Sequence, residues 1–339
     1  MRQQPALFEV PPEQALTSSQ HPLAMHGERM FARHSDLPPR YGWLGKAYTA
    51  LTQDPLVFAA PDACLRLGVG RAALTAIRYW MLAFHLADLG PDQGPGRPRP
   101  LLLTPQAHWL LHPTYGVDPY LEDNASLWLL HLWLLQQRPC RAPSWWVAFH
   151  ASPIGLVKRA ALERRIQIEA ERAGWKAPTD DQVRHDVGCM IRMYSAREEA
   201  SRRESVEDLL DRPFAGLGLI VSHEHRVHLP MNVGRRAPAE LVLAACLHYA
   251  HDYRPEPGSM ALARLAAEPG APGRSLRLLR SDLVAKLRRA LEGLDDVVLV
   301  DAEQEHASLA YRRPPAESAA KALTRLYAHA GDHPFPQGA

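Results

Sequence analysis

Arginines recur at helical spacing in this 339-residue sequence, and arginine is the side chain best suited to holding a phosphate. In one stretch, Arg71, Thr75 and Arg78 follow a glycine-bearing turn. On a helix, this spacing puts all three side chains on one face. Because a guanidinium can donate two hydrogen bonds to a phosphate or to a guanine edge, the face predicts contact with DNA. The alternative is an ordinary solvent-exposed face of a helix.

A second stretch, residues 274–289, is the clearest local excess of positive charge in the chain. Its only acidic residue is Asp282. Its cations are Arg274, Arg277, Arg280, Lys286, Arg288 and Arg289. We expect Arg277, Arg280, Arg288 and Arg289 to hold phosphates, against the alternative of a solvated basic helix. Since the whole chain has a net charge of only +2, any basic surface must be local.

Three weaker groups complete the candidates for chemistry. The loop GPDQGPGRPRP carries Arg97 and Arg99, which are placed to touch a DNA backbone. His223 and His225 share one face of a predicted strand, but nothing near them in the sequence completes a metal site, so we predict none. The acidic residues in DPYLED are better explained as caps of the following helix than as a metal site; they are Asp118, Glu122 and Asp123.

The elements that carry these residues are mostly helical. PDACLRLG is a short helix closed by Gly68, and RAALTAIRYW begins a longer helix after Gly70. This order is typical of a helix-turn-helix, and the loop and apolar run that follow it would supply a wing. The C-terminal third has a similar order, with Ser281 as the predicted N-cap of DLVAKLRRALEG and a hairpin after it.

These patterns predict a mainly α fold with small β wings, in which two winged-helix-like units flank a helical middle. At about 150 residues per domain, a chain of this length predicts two or three domains. The 30 prolines favour several short units with stiff connections. We place a poorly ordered lead-in at residues 1–35, the first unit at 36–120, the helical middle at 121–235 and the second unit at 236–330.

Composition and missing signatures exclude several classes of protein. GVGR lacks the spacing of a phosphate-binding loop, and there is no nucleophile elbow or dinucleotide fingerprint, so we predict no cofactor. The four cysteines show no metal or redox spacing, and we expect Cys189 and Cys246 to be buried thiols. No stretch has the length of a signal peptide core or a membrane span, which favours a cytoplasmic protein.

Several strings together resemble an uncharacterised bacterial family, the domain of unknown function numbered 4007. They are HSDLPPRYGWLGKAY, DACLRLGVGRAALTAIRYW, GVDPYLEDNASLWLLHLWLL, RHDVGCMIRMY and DRPFAGLGLI, within a similarity that spans roughly residues 30 to 312. The resemblance implies a companion of DNA-modification or phage-defence loci, whose neighbours include proteins similar to phosphoadenosine-phosphosulfate (PAPS) reductases. The family has no established catalytic residues, so the resemblance assigns none to this sequence. The sequence departs from the family after GVG, where Arg71-Ala72-Ala73 replaces a Lys-Asn-Met-like run.

We therefore expect a non-enzymatic, double-stranded DNA-binding component of such a system. One alternative is a protein–protein adaptor without DNA contact. Trp128, Trp133, Trp145 and Trp146 would suit such an interface if exposed, but we expect most of them to be core residues. Another is a metal-dependent nuclease or a sulfur-transfer subunit.

Overall fold

The structure is a computed structural model that describes residues 20–152, 155–195, 211–223, 225–304, 306–331 and 333–336. Within these ranges the elements are mostly helices, with eight short strands in three small antiparallel sheets. The predicted fold class, mainly α with a small β component, is therefore confirmed. Among the helices of the described ranges, none is long and apolar enough to cross a bilayer.

The N-terminal elements begin and end at cap signals that are visible in the sequence. Gly68 ends the third helix in the left-handed conformation, with φ 64°, where a side chain would be strained. Thr104 caps the fifth helix by accepting a hydrogen bond from the backbone N–H of Ala107. The elements are α1 Pro22–His26, α2 Trp43–Gln53, α3 Ala63–Leu67, α4 Arg71–Ala83, β1 Ala87–Leu89, β2 Leu101–Leu103 and α5 Pro105–Leu111.

Caps also define the central helices. Asp123 accepts a 2.8 Å hydrogen bond from the backbone N–H of Ala125, and Thr179 and Gln182 form a reciprocal capping box. The elements are α6 Asn124–Gln136, α7 Pro143–Trp146, a π-helical turn Val147–Ala151, β3 Gly155–Lys158, α8 Arg159–Arg172, α9 Asp180–Tyr194, β4 Val221–His223 and β5 Arg226–Leu229.

The C-terminal elements repeat the order helix, strand, helices, hairpin. They are α10 Ala239–Tyr253, β6 Gly258–Ala261, α11 Leu262–Ala267, α12 Pro272–Ser275, α13 Arg280–Ala290, β7 Val297–Val300, β8 Ser308–Tyr311 and α14 Pro315–Leu326. The predicted N-cap of α13 was wrong. The extended backbone of Leu279 starts the helix without a side-chain cap, so Ser281 lies inside its first turn.

The two three-stranded sheets share one connectivity. In each, a single strand leads into helices, and a hairpin then returns so that its second strand pairs with the first strand of the sheet. The strand orders are β3-β5-β4 and β6-β8-β7. The middle region, which the sequence analysis described as helical, thus also carries a sheet of the same order as the C-terminal region.

Helix α6 is buried on all of its faces. Every residue from Ala125 to Leu135 is buried, as expected for a helix that is apolar all round. In the C-terminal region, α10 packs against α14 and α13. Buried apolar residues of the N-terminal, central and C-terminal regions belong to one continuous cluster, so these regions share a core.

Residues near both described ends are fixed on this core. Leu23 is fully buried, and Gly27 forms a bridge with Cys140. Near the other end, the indole of Trp109 donates a 3.0 Å hydrogen bond to the carbonyl oxygen of His333, and its ring meets the ring of Phe335 edge-on. Of the lead-in placed at residues 1–35, residues 1–19 lie outside the described ranges, and the part from residue 20 packs against the protein.

Candidate nucleic-acid interface

The turn between α3 and α4 presents the first residues of α4 to solvent. Gly68 takes the left-handed conformation, and the backbone N–H of Val69 bonds to the carbonyl oxygen of Cys64 at 3.0 Å. Gly70 then precedes Arg71, which opens α4. Beyond its first turns the helix enters the core, since residues 79–83 are all buried. Only the N-terminal end of α4 is therefore free to meet a partner.

That end carries the predicted face. Arg71 and Thr75 are exposed, and Arg78 is half-buried one turn further on. The hydroxyl of Thr75 bonds back to the carbonyl oxygen of Arg71 at 3.2 Å. Burial lowers the pKa of Arg78 from its ordinary value. Among the described residues, no carboxylate lies within ion-pair distance of Arg71 or Arg78, so both guanidinium groups are available to an anion.

The loop between β1 and β2 uses its two arginines differently. Arg99 donates hydrogen bonds of 2.9 and 2.7 Å to the carbonyl oxygen of Gly90, which tie the base of the loop together. Arg97 is exposed and pairs with no acidic side chain in the part of the chain that the structure describes. Arg97 is thus the better candidate for a contact with a DNA backbone. Arg99 instead stabilises the base of the loop.

Helix α13 carries the second basic face. Arg288 and Arg289 are exposed on it, and Arg288 pairs with Glu303 in the β7–β8 loop. Arg280, the first residue of the helix, donates to the carbonyl oxygen of Gln304 in the same loop. Helix and loop therefore form one surface. Sequence reasoning missed the part played by Glu303 and Gln304, although the alternation around DAEQEH predicted a hairpin turn there.

Arg277 does not lie on that surface. Its side chain is buried and donates a 2.9 Å hydrogen bond to the carbonyl oxygen of Leu229. Burial, with the nearby charge of Arg274, lowers the pKa of Arg277 to about 10. The basic stretch 274–289 predicted that Arg277 binds phosphate, but a guanidinium in this buried position cannot reach a duplex. We exclude it from the interface.

The middle region has the same strand order as the C-terminal region, but its helix α9 does not carry the same charge. On α9, Arg184 pairs with Asp181 at 2.6 Å, and His185 lies 3.6 Å from Asp36. The exposed arginine of this helix is therefore matched by a carboxylate, which makes α9 a poor candidate for phosphate contact.

Of the acidic residues of DPYLED, Asp123 caps the following helix as predicted, and Asp118 holds the turn before it. The two carboxylate oxygens of Asp118 accept hydrogen bonds from the backbone N–H groups of Glu122 and Asp123, both at 3.0 Å. Asp123 in turn caps α6. Within the described ranges, no group of three His, Cys, Asp or Glu side chains is arranged to hold a metal ion, and this includes His223 and His225.

The tryptophans considered for a protein interface belong to the core. Trp128, Trp133, Trp145 and Trp146 are all buried. Cys189 and Cys246 are also buried, as predicted, and burial raises the pKa of the Cys246 thiol far above its ordinary value. The described surface thus offers two arginine faces, one on α4 and one on α13.

Comparison with known proteins gives a family and two similar structures. The sequence profile of a family described as protein of unknown function (DUF4007) matches residues 31–327. A crystal structure of magnesium-bound SspB is 37% identical, with a TM-score of 0.84, over 93% of this chain and 92% of that chain. A second crystal structure of SspB is 37% identical, with a TM-score of 0.83, over 91% of each chain. No curated protein matches the sequence.

Proposed function

The chain belongs to the DUF4007 family, and from its two arginine faces we propose that it binds double-stranded DNA without altering it covalently. The observation that carries this proposal is the exposure of α4. The helix buries its second half and presents Arg71 and Thr75, with Arg78 beside them, at its N-terminal end. A recognition helix contacts base edges and phosphates in this way, through the residues of its first turns.

Helix α13 supplies the second contact in this proposal. Arg280, Arg288 and Arg289 face the β7–β8 loop or solvent, and together they would neutralise phosphates next to a loop that acts as a wing. The shared connectivity of the sheets supports a winged-helix description of the C-terminal region. Arg97 would touch the backbone from the β1–β2 loop.

We further propose that this DNA binding serves a cytoplasmic DNA-modification or phage-defence system, which the family resemblance suggests. A protein similar to PAPS reductases is the partner that this setting suggests. An adaptor role remains the competing function, and the burial of Trp128, Trp133, Trp145 and Trp146 weighs against it because these aromatic side chains are not on the surface.

Fluorescence anisotropy of a labelled duplex tests the proposal. DNA affinity should fall steeply between 50 and 200 mM salt, because phosphate contacts release counterions. In Arg71→Ala/Arg78→Ala, affinity should fall and the slope of log K against log salt should decrease by about 2, if each arginine holds one phosphate. Arg172→Ala/Arg184→Ala removes the same charge from exposed positions on α8 and α9, outside the interface, and should leave the slope nearly unchanged.

Absence of binding at low salt would contradict the proposal and favour the adaptor role. The magnesium ion named in the related crystal structure raises a metal-assisted reaction as another function. Within the described ranges, no group of three His, Cys, Asp or Glu side chains is arranged around a metal position. Incubation of supercoiled plasmid with the protein and Mg²⁺ tests this directly. Magnesium-dependent cleavage would make the DNA interface part of an enzyme.

A further inference from the structure

One face of the sheet β3-β5-β4 presents side chains to solvent in two neighbouring rows, and none of them belongs to the proposed duplex interface. The antiparallel register brings one residue of each strand into each row. The basic row is Lys158, Arg226 and His223, and the second row is Leu156, His228 and Val221. On the other face of the sheet Val227 and Ser222 are buried, so that face packs on the protein.

All three side chains of the basic row are exposed, and each carries an N–H donor. Neighbouring strands lie about 4.8 Å apart, so the row extends about 10 Å across the sheet. Among the described residues, no carboxylate lies within ion-pair distance of Lys158 or Arg226, whereas Arg159, the next residue after Lys158, pairs with Glu163 at 3.0 Å. Glu224, which follows His223 in the chain, lies outside the described ranges. A row of this length and charge suits a ligand with several negative groups.

The second row offers a surface for rings beside these donors. Leu156 and Val221 are 51% and 37% exposed, and the half-buried His228 lies between them on the central strand. Histidine is one of the side chains on which unpaired bases stack. In a duplex the base faces are covered by neighbouring base pairs, so only a single strand presents phosphates and ring faces together. An anionic membrane would need a larger apolar surface than two partly exposed aliphatic side chains.

We propose that this face of the sheet binds a short stretch of single-stranded nucleic acid. The phosphates would lie on the basic row and a base would stack on His228, which is the combination of contacts that proteins use to bind single strands. The site needs none of the arginines of α4 or α13, so it does not depend on the proposed duplex binding. It adjoins α13, because β5 ends at Leu229, whose carbonyl oxygen accepts the hydrogen bond from Arg277 in the turn before that helix.

Fluorescence anisotropy of the full chain with a labelled oligothymidylate of about 12 nucleotides tests the basic row. Lys158→Ala/Arg226→Ala should weaken binding about tenfold at low salt, and the slope of log K against log salt should decrease by about 1.4, or about 0.7 for each of two phosphates on a single strand. Duplex affinity of this variant should stay at the wild-type value. Arg172→Ala/Arg184→Ala removes the same charge from exposed positions on α8 and α9 and is the matched control. Circular dichroism checks the folding of each variant.

The second row is tested through the bases. His228→Ala should weaken oligothymidylate binding about fivefold, with the salt slope unchanged, because stacking involves no phosphate. An abasic strand of the same length should bind the wild type more weakly than oligothymidylate does, and His228→Ala should not weaken it further. Oligouridylate of the same length shows whether the strand is RNA or DNA, since the chain should bind its proper ligand more tightly.

Three results would overturn the proposal. The first is no binding of either oligonucleotide at low salt, or an equal loss in Lys158→Ala/Arg226→Ala and Arg172→Ala/Arg184→Ala. The second is an abasic strand that binds as tightly as oligothymidylate, because the second row would then contact no base. The third is binding to vesicles of phosphatidylglycerol and phosphatidylcholine that Lys158→Ala/Arg226→Ala abolishes while oligothymidylate affinity is unchanged, which would assign this face to a membrane. If the chain does not bind a duplex at all, the oligonucleotide titrations still decide the matter.

Discussion

Arg277 donates a 2.9 Å hydrogen bond to the carbonyl oxygen of Leu229, and so ties the turn before α13 to the end of β5. The same turn is fixed a second time, because the backbone N–H of Asn232 bonds to the carbonyl oxygen of Arg277 at 2.6 Å. Arg277 adopts φ 55°, a conformation uncommon for a residue with a side chain. This arginine joins the sheet of the middle region to the basic helix of the C-terminal region.

Arg277→Ala should destabilise the protein and leave DNA affinity unchanged. The substitution leaves a cavity and removes the buried hydrogen bond to the carbonyl oxygen of Leu229, for a loss of about 2–3 kcal/mol in the free energy of unfolding. Arg277→Met should lose less, since it refills the volume. Urea unfolding gives the stability, and anisotropy of the folded variant gives the affinity. A reduced salt slope in either variant would return Arg277 to the DNA interface.

Glu303→Gln should increase DNA affinity. Glu303 is exposed and pairs with Arg288, and this contact holds the pKa of the Glu303 carboxyl below its ordinary value. Removing the negative charge frees Arg288 for a phosphate and removes a group that repels DNA. We expect a gain of about threefold at low salt. Glu171→Gln, on the exposed surface of α8, is the control for net charge. Equal effects of the two variants would mean that Arg288 makes no specific contact.

The protein should lose stability as the pH falls from about 6.5 towards 4. His131 is completely buried, and its ring nitrogens lie 2.8 Å from the Tyr194 hydroxyl and 2.9 Å from the Ser275 carbonyl oxygen. Burial lowers the pKa of His131 to about 4, although the hydrogen bond to Ser275 acts in the opposite direction. In this pH range the unfolded chain binds a proton that the folded protein does not bind, so the free energy of unfolding decreases.

Urea unfolding at pH 7.5 and pH 5.0 measures this dependence. His131 should account for a loss of about 2 kcal/mol between these two conditions. His131→Phe should be less stable at pH 7.5 but lose about 2 kcal/mol less on acidification. Tyr194→Phe removes a hydrogen-bond partner and keeps the imidazole, so it should retain the wild-type pH dependence. If His131→Phe retains it too, the titration belongs to other groups.

Two substitutions at Asp123 should separate a cap from a metal ligand. Asp123→Ala removes the hydrogen bond to the Ala125 N–H and should cost about 1 kcal/mol, whereas Asp123→Asn still caps α6 and should cost little. Thermal unfolding of both variants measures the difference. A plasmid assay with Mg²⁺ provides the second readout. Cleavage by the wild type that both variants abolish would show a catalytic carboxylate at this position.

Local signals made much of the fold predictable. Gly68 and Gly70 marked the turn before α4, and the apolar run after Asp123 marked α6. These features depend on a few neighbouring residues, whose backbone preferences act within one or two turns. The exposed face of Arg71, Thr75 and Arg78 followed from the helical period alone, because the opposite side of α4 is apolar.

Whether a given arginine is buried or exposed was not predictable in the same way. Arg277 and Arg288 lie in one basic stretch, yet one is buried against Leu229 and the other is exposed beside Glu303. The difference arises from contacts with residues that are distant in the chain.

Phe335 and His333 contact Trp109, and this contact has a practical consequence for experiments on fragments of the chain. A fragment limited to residues 36–120 would expose the indole of Trp109 and the apolar surfaces that α4 and α5 bury against later helices. Such a fragment should aggregate instead of binding DNA. Deletion of the residues after Leu326 should likewise destabilise α5, which lies more than two hundred residues earlier in the chain. The arginine faces are therefore best assayed in the intact chain.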